Sequence, residues 1–362
     1  TFDESFKFLI PFALILIPLF LSFFTGLTTL IVGQFLNYNI SSVLLFSGSL
    51  AISDYVRGKI LTGFPWNLWG YSWSWFTEIL QVLNFLGLYA FNLITITLFT
   101  IPAVLFFRYS SSKKVLILSS VFLFVFLTYI YGTFTINKNN AVIDYLNKND
   151  SIYTKVISPD FKLKYYLSIE EVEIKIKKLI RYSDPDPNRK TLFIWPEGVF
   201  TGYNYNEISQ FSNLIKENFS EKHLILLGLN TFDKISSTYF NSLILVNNKF
   251  EIIYRYNKKK LVPFGEFLPF NNFLNKFGLK KITEGYSSFS RGKIQENIII
   301  DNVNILPLIC YEIIFPELVQ TAEEKTNLIV NISEDGWFGS SIGPHQHFAK
   351  AIFRSIENNS FL

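Results

Sequence analysis

A carboxylate, an ammonium and a thiol are the parts of an activated nucleophile, and this 362-residue chain carries all three at the ends of strand-like runs. Glu197 closes "TLFIWPE" (191–197), Lys258 follows "FEIIYRY" (250–256), and Cys310 closes "NILPLIC" (304–310). In such a set the thiolate attacks, a neighbouring base takes its proton, and a fixed cation stabilises the oxyanion of a tetrahedral intermediate. Cys310 is the only cysteine, so an internal disulfide is excluded. Two readings of it remain, a small buried hydrophobe or a thiol retained for its chemistry. Glu197 has an alternative as an ordinary surface carboxylate. Lys258 has one as a solvated member of the basic run Lys258, Lys259 and Lys260.

The elements that would position these groups are legible from residue 151 onward. "SIYTKVISP" (151–159), "TLFIWPE", "HLILLGLN" (223–230), "NSLILVNN" (241–248), "FEIIYRY", "NIIIDN" (297–302), "NILPLICYE" (304–312) and "NLIVNISED" (327–335) are short β-rich runs bounded by turn residues. Helical patterns lie between them. "SIEEVEIKIKKLIRYS" (168–183) opens with Ser168 and has Glu171 three positions on, a capping-box signature. "EISQFSNLIKENFS" (207–220) predicts a second helix, and "FAKAIFRSIENN" (348–359) a third. Alternating strands and helices predict an α/β domain on a buried sheet, where chemistry gathers at strand ends.

The first part of the chain is of another kind. Composition is 49% hydrophobic and 17% charged, and the apolar excess is concentrated before residue 136. "FLIPFALILIPLFLSFFTGLTTLIVG" (8–33) runs uncharged for about 25 residues, enough to cross a bilayer. Residues 79–107 and 115–134 do the same, and "SSVLLFSGSLAI" (41–52) forms a fourth span if it extends toward Val56. Residues 1–136 are therefore expected to be a transmembrane helical domain of three or four spans. The polar "NKNNAVIDYLNKND" (137–150) reads as a linker to a second domain, 151–362. Arg108, Lys113 and Lys114 cluster between the last two long runs, which argues for a cytoplasmic loop there and a second domain on the outer side. Arg57 and Lys59 then fall on the outer side, against the rule. The net charge of +4 does not point to nucleic acid.

Several segments carry a resemblance. "WPEG", "YNKKKLVPFGEFLP", "SSFSRG", "ICYEIIFPE" and "NISEDGWFGSSIGPHQHF" occur in the order and at about the spacing of the nitrilase-type domain of bacterial apolipoprotein N-acyltransferases. "YVRGKILTGFPWNLWGYS" (55–72) resembles that family's segment between membrane spans. The resemblance implies transmembrane helices followed by an α/β nitrilase-like domain, an α-β-β-α sandwich of the carbon–nitrogen hydrolase superfamily. It implies Cys310 as nucleophile, Glu197 as general base and, by the register of "LVPFGE", Lys258 as the oxyanion-stabilising cation. Glu266 matches a supporting glutamate. Tyr311 and Glu312 match the residues flanking the cysteine, with the Tyr311 N–H an oxyanion donor. Trp337 matches an aromatic near the substrate entrance. A tryptophan common in the family is replaced by Tyr165. Further spans before Thr1 and a last strand and span after Leu362 are expected from the family, so the chain reads as lacking both ends. It also contains no methionine.

The implied function is transfer of an acyl chain from a phospholipid, through a thioester, to the N-terminal amine of a diacylglyceryl-modified apolipoprotein at the bacterial inner membrane. The alternative is a membrane-tethered amidase or nitrilase-like hydrolase of a small amide, using water as second acceptor. A third reading, a non-catalytic membrane scaffold with a degenerate fold, is opposed by the intact Glu197, Lys258 and Cys310. No metal or soluble cofactor is required, and a monomer is expected. The apolar stretch 267–279 is expected to lie on the bilayer. Two other patterns are set aside. "GSSIG" (339–343) fits G-x-S-x-G, but its serine lies several residues past the preceding strand and no acid separates Ser341 from His345. His345 and His347 form H-x-H, which does not share a helix face and has no accompanying ligand, so packing is the expected role.

Overall fold

The computed structural model describes residues 10–148, 152–162, 164, 166–270, 288–293, 296–320 and 325–362. The expectations for Tyr165 and for most of the 267–279 stretch fall outside the described residues. The apolar runs fold as helices α1 (Ile10–Gly33), α2 (Ile40–Lys59), α3 (Thr77–Leu80), α4 (Leu83–Thr100) and α5 (Ser111–Lys148). Among the described residues three stretches are long and apolar enough to cross a membrane: Pro11–Gly33, Leu83–Phe106 and Ser111–Asp144. The expected fourth run forms α2, capped by Asn39, but its second half carries charge. There Arg57 pairs with Asp54 at 2.9 Å, both buried, and Asp54 accepts from Asn92 of α4 at 2.9 Å. A buried, hydrogen-bonded pair keeps these charges off the lipid-facing surface.

The segment read as a linker is helical up to Lys148, as the continuation of α5. Its polarity suggested a connection, yet residues 133–148 contain neither proline nor glycine, and nothing stops the helix. In α4 the helix is interrupted at Gly87, whose φ of 72° and ψ of 168° leave the helical region.

Each strand-like run forms a strand: β1 (Tyr153–Val156), β2 (Thr191–Ile194), β3 (His223–Asp233), β4 (Thr238–Val246), β5 (Ile252–Asn257), β6 (Ile298–Ile300), β7 (Val303–Ile309) and β8 (Leu328–Ile332). Ser168 caps α6 (Ile169–Ser183) through the anticipated capping box with Glu171. The single helix expected over 207–220 is instead α7 (Tyr205–Ile208), a 3₁₀ turn (Ser209–Phe211) and α8 (Ser212–Asn218). Phe211, with φ −92° and ψ 9°, departs from helical geometry and packs its ring against the core. After Cys310 come a 3₁₀ helix (Cys310–Ile314), α9 (Pro316–Gln320), a 3₁₀ turn (Asp335–Phe338) and α10 (Gly343–Asn358).

The strands form two sheets, β1-β2-β3-β4-β5 and β6-β7-β8. Pleat alternation sorts their side chains into layers. Phe193, Ile225, Leu227, Ile244 and Val246 pack against Val172, Ile176 and Leu179 of α6. On the opposite face, Leu192, Ile194, Leu226, Leu243 and Leu245 meet Ile298, Ile305, Ile309, Val330 and Ile332 of the smaller sheet. Leu306, Leu308 and Ile329 on its outer face pack against Ile313, Ile314, Val319 and Ala351 of α10. The order is helix, sheet, sheet, helix, the expected α-β-β-α sandwich. The outer helix α10 has a second role, since Phe353 joins Leu68, Ile79, Leu80, Leu88 and Phe91 from the membrane part.

Candidate active site

Strand ends bring the expected groups to one place. Glu197 lies three residues past β2, Lys258 immediately follows β5, and Cys310 immediately follows β7. Lys258 is 1% exposed. Its Nζ donates to Glu266 Oε1 at 2.9 Å and lies 3.7 Å from Glu197 Oε1. Burial works against the Lys258 charge, but Glu266, Glu197 and Cys310 outweigh it and hold the ammonium above its ordinary range. Glu266 also accepts from the Val262 N–H at 2.8 Å, so the "LVPFGE" turn closes on its own glutamate.

Asn241 of β4 was not singled out from sequence, yet it organises the site. Its side-chain amide donates to Glu197 Oε1 at 2.8 Å and to Glu266 Oε1 at 2.7 Å. Its carbonyl accepts from the Lys258 N–H at 2.9 Å. Both carboxylates are thus set around the ammonium by one residue. The available signal was weak: a polar residue opening an apolar strand. The other oxygen of Glu197 accepts from the Glu334 N–H at 3.2 Å.

Cys310 adopts φ +50°, left-handed for a residue with a Cβ, a strain costing about 1–3 kcal/mol that its surroundings must hold. Glu312 holds one side. Completely buried, it accepts from the Ile309 N–H at 2.9 Å, the Lys259 N–H at 2.7 Å, the Lys260 N–H at 3.0 Å and the Tyr256 hydroxyl at 2.8 Å. One carboxyl therefore ties the cysteine turn to the lysine turn. Burial raises its pKa, although those backbone donors oppose the shift.

A neighbouring ammonium such as Lys258 would by itself favour the thiolate. The site has the opposite balance. Burial first, then the Glu197 charge, push the Cys310 thiol up to about 12, and the opposing pull of Lys258 and of the Ser333 hydroxyl does not compensate. These surroundings favour the thiol over the thiolate at Cys310.

Tyr311 reaches the membrane part, its hydroxyl donating to the Gly63 carbonyl at 3.2 Å. Trp337 is 41% exposed on the turn after β8 that also carries Glu334 and Asp335. Of the two patterns set aside, Ser341 and His345 are exposed and stand apart from these groups. His347 is buried, and it touches the site. Its ring lies 2.9 Å from Asp335 Oδ1 and 3.1 Å from the carbonyl oxygen of Cys310. Burial works against the Asp335 charge, but hydrogen bonds from His347 and Ser333 outweigh it and hold its carboxyl below the usual range. Among the described residues no group of three or more His, Cys, Asp or Glu side chains could hold a metal ion.

Residues 168–362 match the family model of the carbon-nitrogen hydrolases, and residues 1–101 match that of the apolipoprotein N-acyltransferase N-terminal domain. The apolipoprotein N-acyltransferase of Bradyrhizobium diazoefficiens is 30% identical, with 98% of this chain and 67% of the relative aligned. That of Rickettsia prowazekii is 30% identical over 99% of this chain and 70% of its own length. That of Rhodopseudomonas palustris is 28% identical, over 98% and 68%. With residues 1–101 and 168–362 matched, and relatives at this identity aligned along nearly all of the chain, the chain belongs to the apolipoprotein N-acyltransferase family, and its second part is a carbon–nitrogen hydrolase domain.

Proposed function

We propose that this membrane-bound N-acyltransferase works through a thioester on Cys310, with Glu197 as general base and Lys258 as oxyanion-stabilising cation. The acyl donor is a phospholipid. The acceptor is the N-terminal amine of the diacylglyceryl-cysteine of a lipoprotein. One observation carries the mechanism: three groups separated by more than fifty residues each meet around a buried ammonium, the cation and Glu197 both acting on the thiol. Sγ attacks the ester carbonyl as its proton passes to Glu197. The tetrahedral oxyanion collapses, and the lysophospholipid oxygen leaves with that proton. The acceptor amine then attacks the thioester, loses a proton to Glu197, and Sγ is returned its proton. Lys258 remains charged throughout, as its two carboxylate neighbours require.

We place the boundary between the membrane part and the catalytic part in the 137–150 segment, and the catalytic part on the outer side of the inner membrane. The basic residues Arg108, Lys113 and Lys114 follow the far end of α4, which lies about 18 Å along the helix from Leu88, where the catalytic part docks. The cations that opposed this orientation are internally neutralised, Arg57 by Asp54 and Lys59 by Glu317 at 2.8 Å.

The test is incubation of the purified chain in proteoliposomes with phospholipid and no acceptor. Cys310 should accumulate an adduct of one acyl chain, read by intact mass. A diacylglyceryl-cysteine peptide should then discharge the adduct to its own N-terminus, and Cys310→Ala should form none. Steady release of free fatty acid without an adduct, or turnover of small amides alone, would identify a hydrolase instead.

A further inference from the structure

We infer that His347 is a positioning residue for the oxyanion hole: it grips the carbonyl of Cys310 from behind and so aims the Tyr311 N–H of the same peptide. The inference rests on the thioester mechanism proposed above, with the Tyr311 N–H taken as its backbone oxyanion donor, and adds to it a residue that acts through that peptide.

The geometry begins with two acceptors. Asp335 Oδ1 lies 2.9 Å from His347 Nδ1, and the Cys310 carbonyl oxygen lies 3.1 Å from Nε2. A carbonyl oxygen can only accept, so in the contact with Cys310 it is Nε2 that donates. The ring is 3% exposed and cannot swing away. Trp66 stacks on it at 5.9 Å and 16°, Phe338 lies 6.0 Å away, and Trp66 is itself fixed by donating Nε1 to Gln346 Oε1 at 2.8 Å. A rigid donor, anchored at its far end by Asp335, therefore meets one backbone oxygen.

That oxygen belongs to the peptide joining Cys310 to Tyr311. No described peptide bond is cis, and in a trans peptide the C=O and N–H point in opposite directions within one plane. Holding the Cys310 oxygen fixes where the Tyr311 N–H points. The need for such a grip is local: Cys310 sits at φ +50°, and relaxation toward ordinary φ would rotate this peptide. Glu312 holds the Leu308–Ile309 peptide through the Ile309 N–H. His347 holds the Cys310–Tyr311 peptide on the other side of the strained residue. Trp66 lies in the "FPWNLWGYS" segment, so the membrane part contributes directly to the stiffness of this grip.

The experiment separates thiol reactivity from oxyanion stabilisation. Alkylation by iodoacetamide passes through no tetrahedral intermediate and reports only the thiolate, whereas thioester formation needs the oxyanion donor. In His347→Gln the amide nitrogen can occupy the place of Nε2 and keep the grip on Cys310; in His347→Asn it can reach only Asp335. Burst-phase acylation at saturating phospholipid should fall about 10- to 100-fold in His347→Asn, less than for loss of a whole oxyanion donor, with KM unchanged. His347→Gln should recover most of that loss. Alkylation at pH 9 should change less than about twofold in both, since the thiolate's neighbours are untouched. If His347→Asn does not fold, Asp335→Asn, which loosens the ring without removing it, should show a smaller fall of the same kind. Full-rate acylation in the variants, or a parallel fall in acylation and alkylation, would overturn the inference. Absence of a thioester in the unsubstituted chain would instead overturn the thioester mechanism itself.

Discussion

The Cys310 thiol is the residue on which chemistry and electrostatics disagree most plainly. A low-pKa cysteine would react with any electrophile in a membrane. Here burial and the Glu197 charge favour the protonated sulfur, and in the proposed mechanism the proton passes to Glu197 as the bond to the ester carbonyl forms. In that mechanism the carboxylate that raises the thiol pKa also activates the thiol, and the two roles separate in Glu197→Gln. Removing the charge lowers the pKa of Cys310, because a neighbouring anion had disfavoured the thiolate. The alkaline midpoint of iodoacetamide labelling should move to lower pH. Acylation by phospholipid should nevertheless slow roughly 10²- to 10⁴-fold, the usual worth of a general base. A substitution that left acylation at full rate, or moved the labelling midpoint upward, would remove Glu197 from this role.

At the scale of elements, the site depends on how closely strands approach. Gly228 of β3 lies behind the turn that carries Glu197. A Cβ there would stand 2.8 Å from Glu197 Cα and 2.9 Å from Ile332 Cδ1, both closer than carbon atoms tolerate. Relief requires the Glu197 turn to retreat from Asn241 and Lys258. Gly228→Ala should fold, with acylation reduced about 10-fold or more, since catalytic geometry is sensitive to shifts well below 1 Å. Thermal unfolding and acylation measured on the same preparation would check this; native acylation in a folded variant would show that the turn tolerates displacement. The smaller sheet imposes a matching demand through Glu312, which bonds the turns after β5 and β7 at once.

The membrane part and the catalytic part share α10. Where Gly87 breaks α4, the Leu88 N–H donates to Glu357 Oε1 of α10 at 2.9 Å. Glu357 also pairs with the fully buried Arg354 at 2.9 Å. Lys350, further up the same helix, lies 4.4 Å from both the Trp66 and Tyr71 rings. Removing Glu357 alone leaves a buried cation and a backbone N–H without acceptors. Glu357→Leu should cost about 3–5 kcal/mol in detergent unfolding, and the double variant Arg354→Met/Glu357→Leu should recover much of it. Equal stability of the single variant and the native chain would mean that water already reaches this junction.

The order of elements was legible from sequence because it depends on local periodicity. Every strand-like run from Tyr153 to Ile332 is a strand, and the long uncharged runs are helices. So was the placing of Glu197, Lys258 and Cys310 at strand ends, since burial of a strand leaves its polar residues at its limits. Local pattern was silent on the conformation of 137–148, which continues α5 with no breaker to stop it, and it misled where ring packing interrupts a helix, as at Phe211. The rest was decided by tertiary structure. Asn241 gained its place between two carboxylates, and His347 its place behind Cys310, from residues that are distant in the chain. The burial of the Asp54–Arg57 pair, like the raised pKa of the Cys310 thiol, results from what surrounds each group. Periodicity is a property of neighbours in sequence. Desolvation and charge pairing are properties of neighbours in space, and they exist only once the layers have closed.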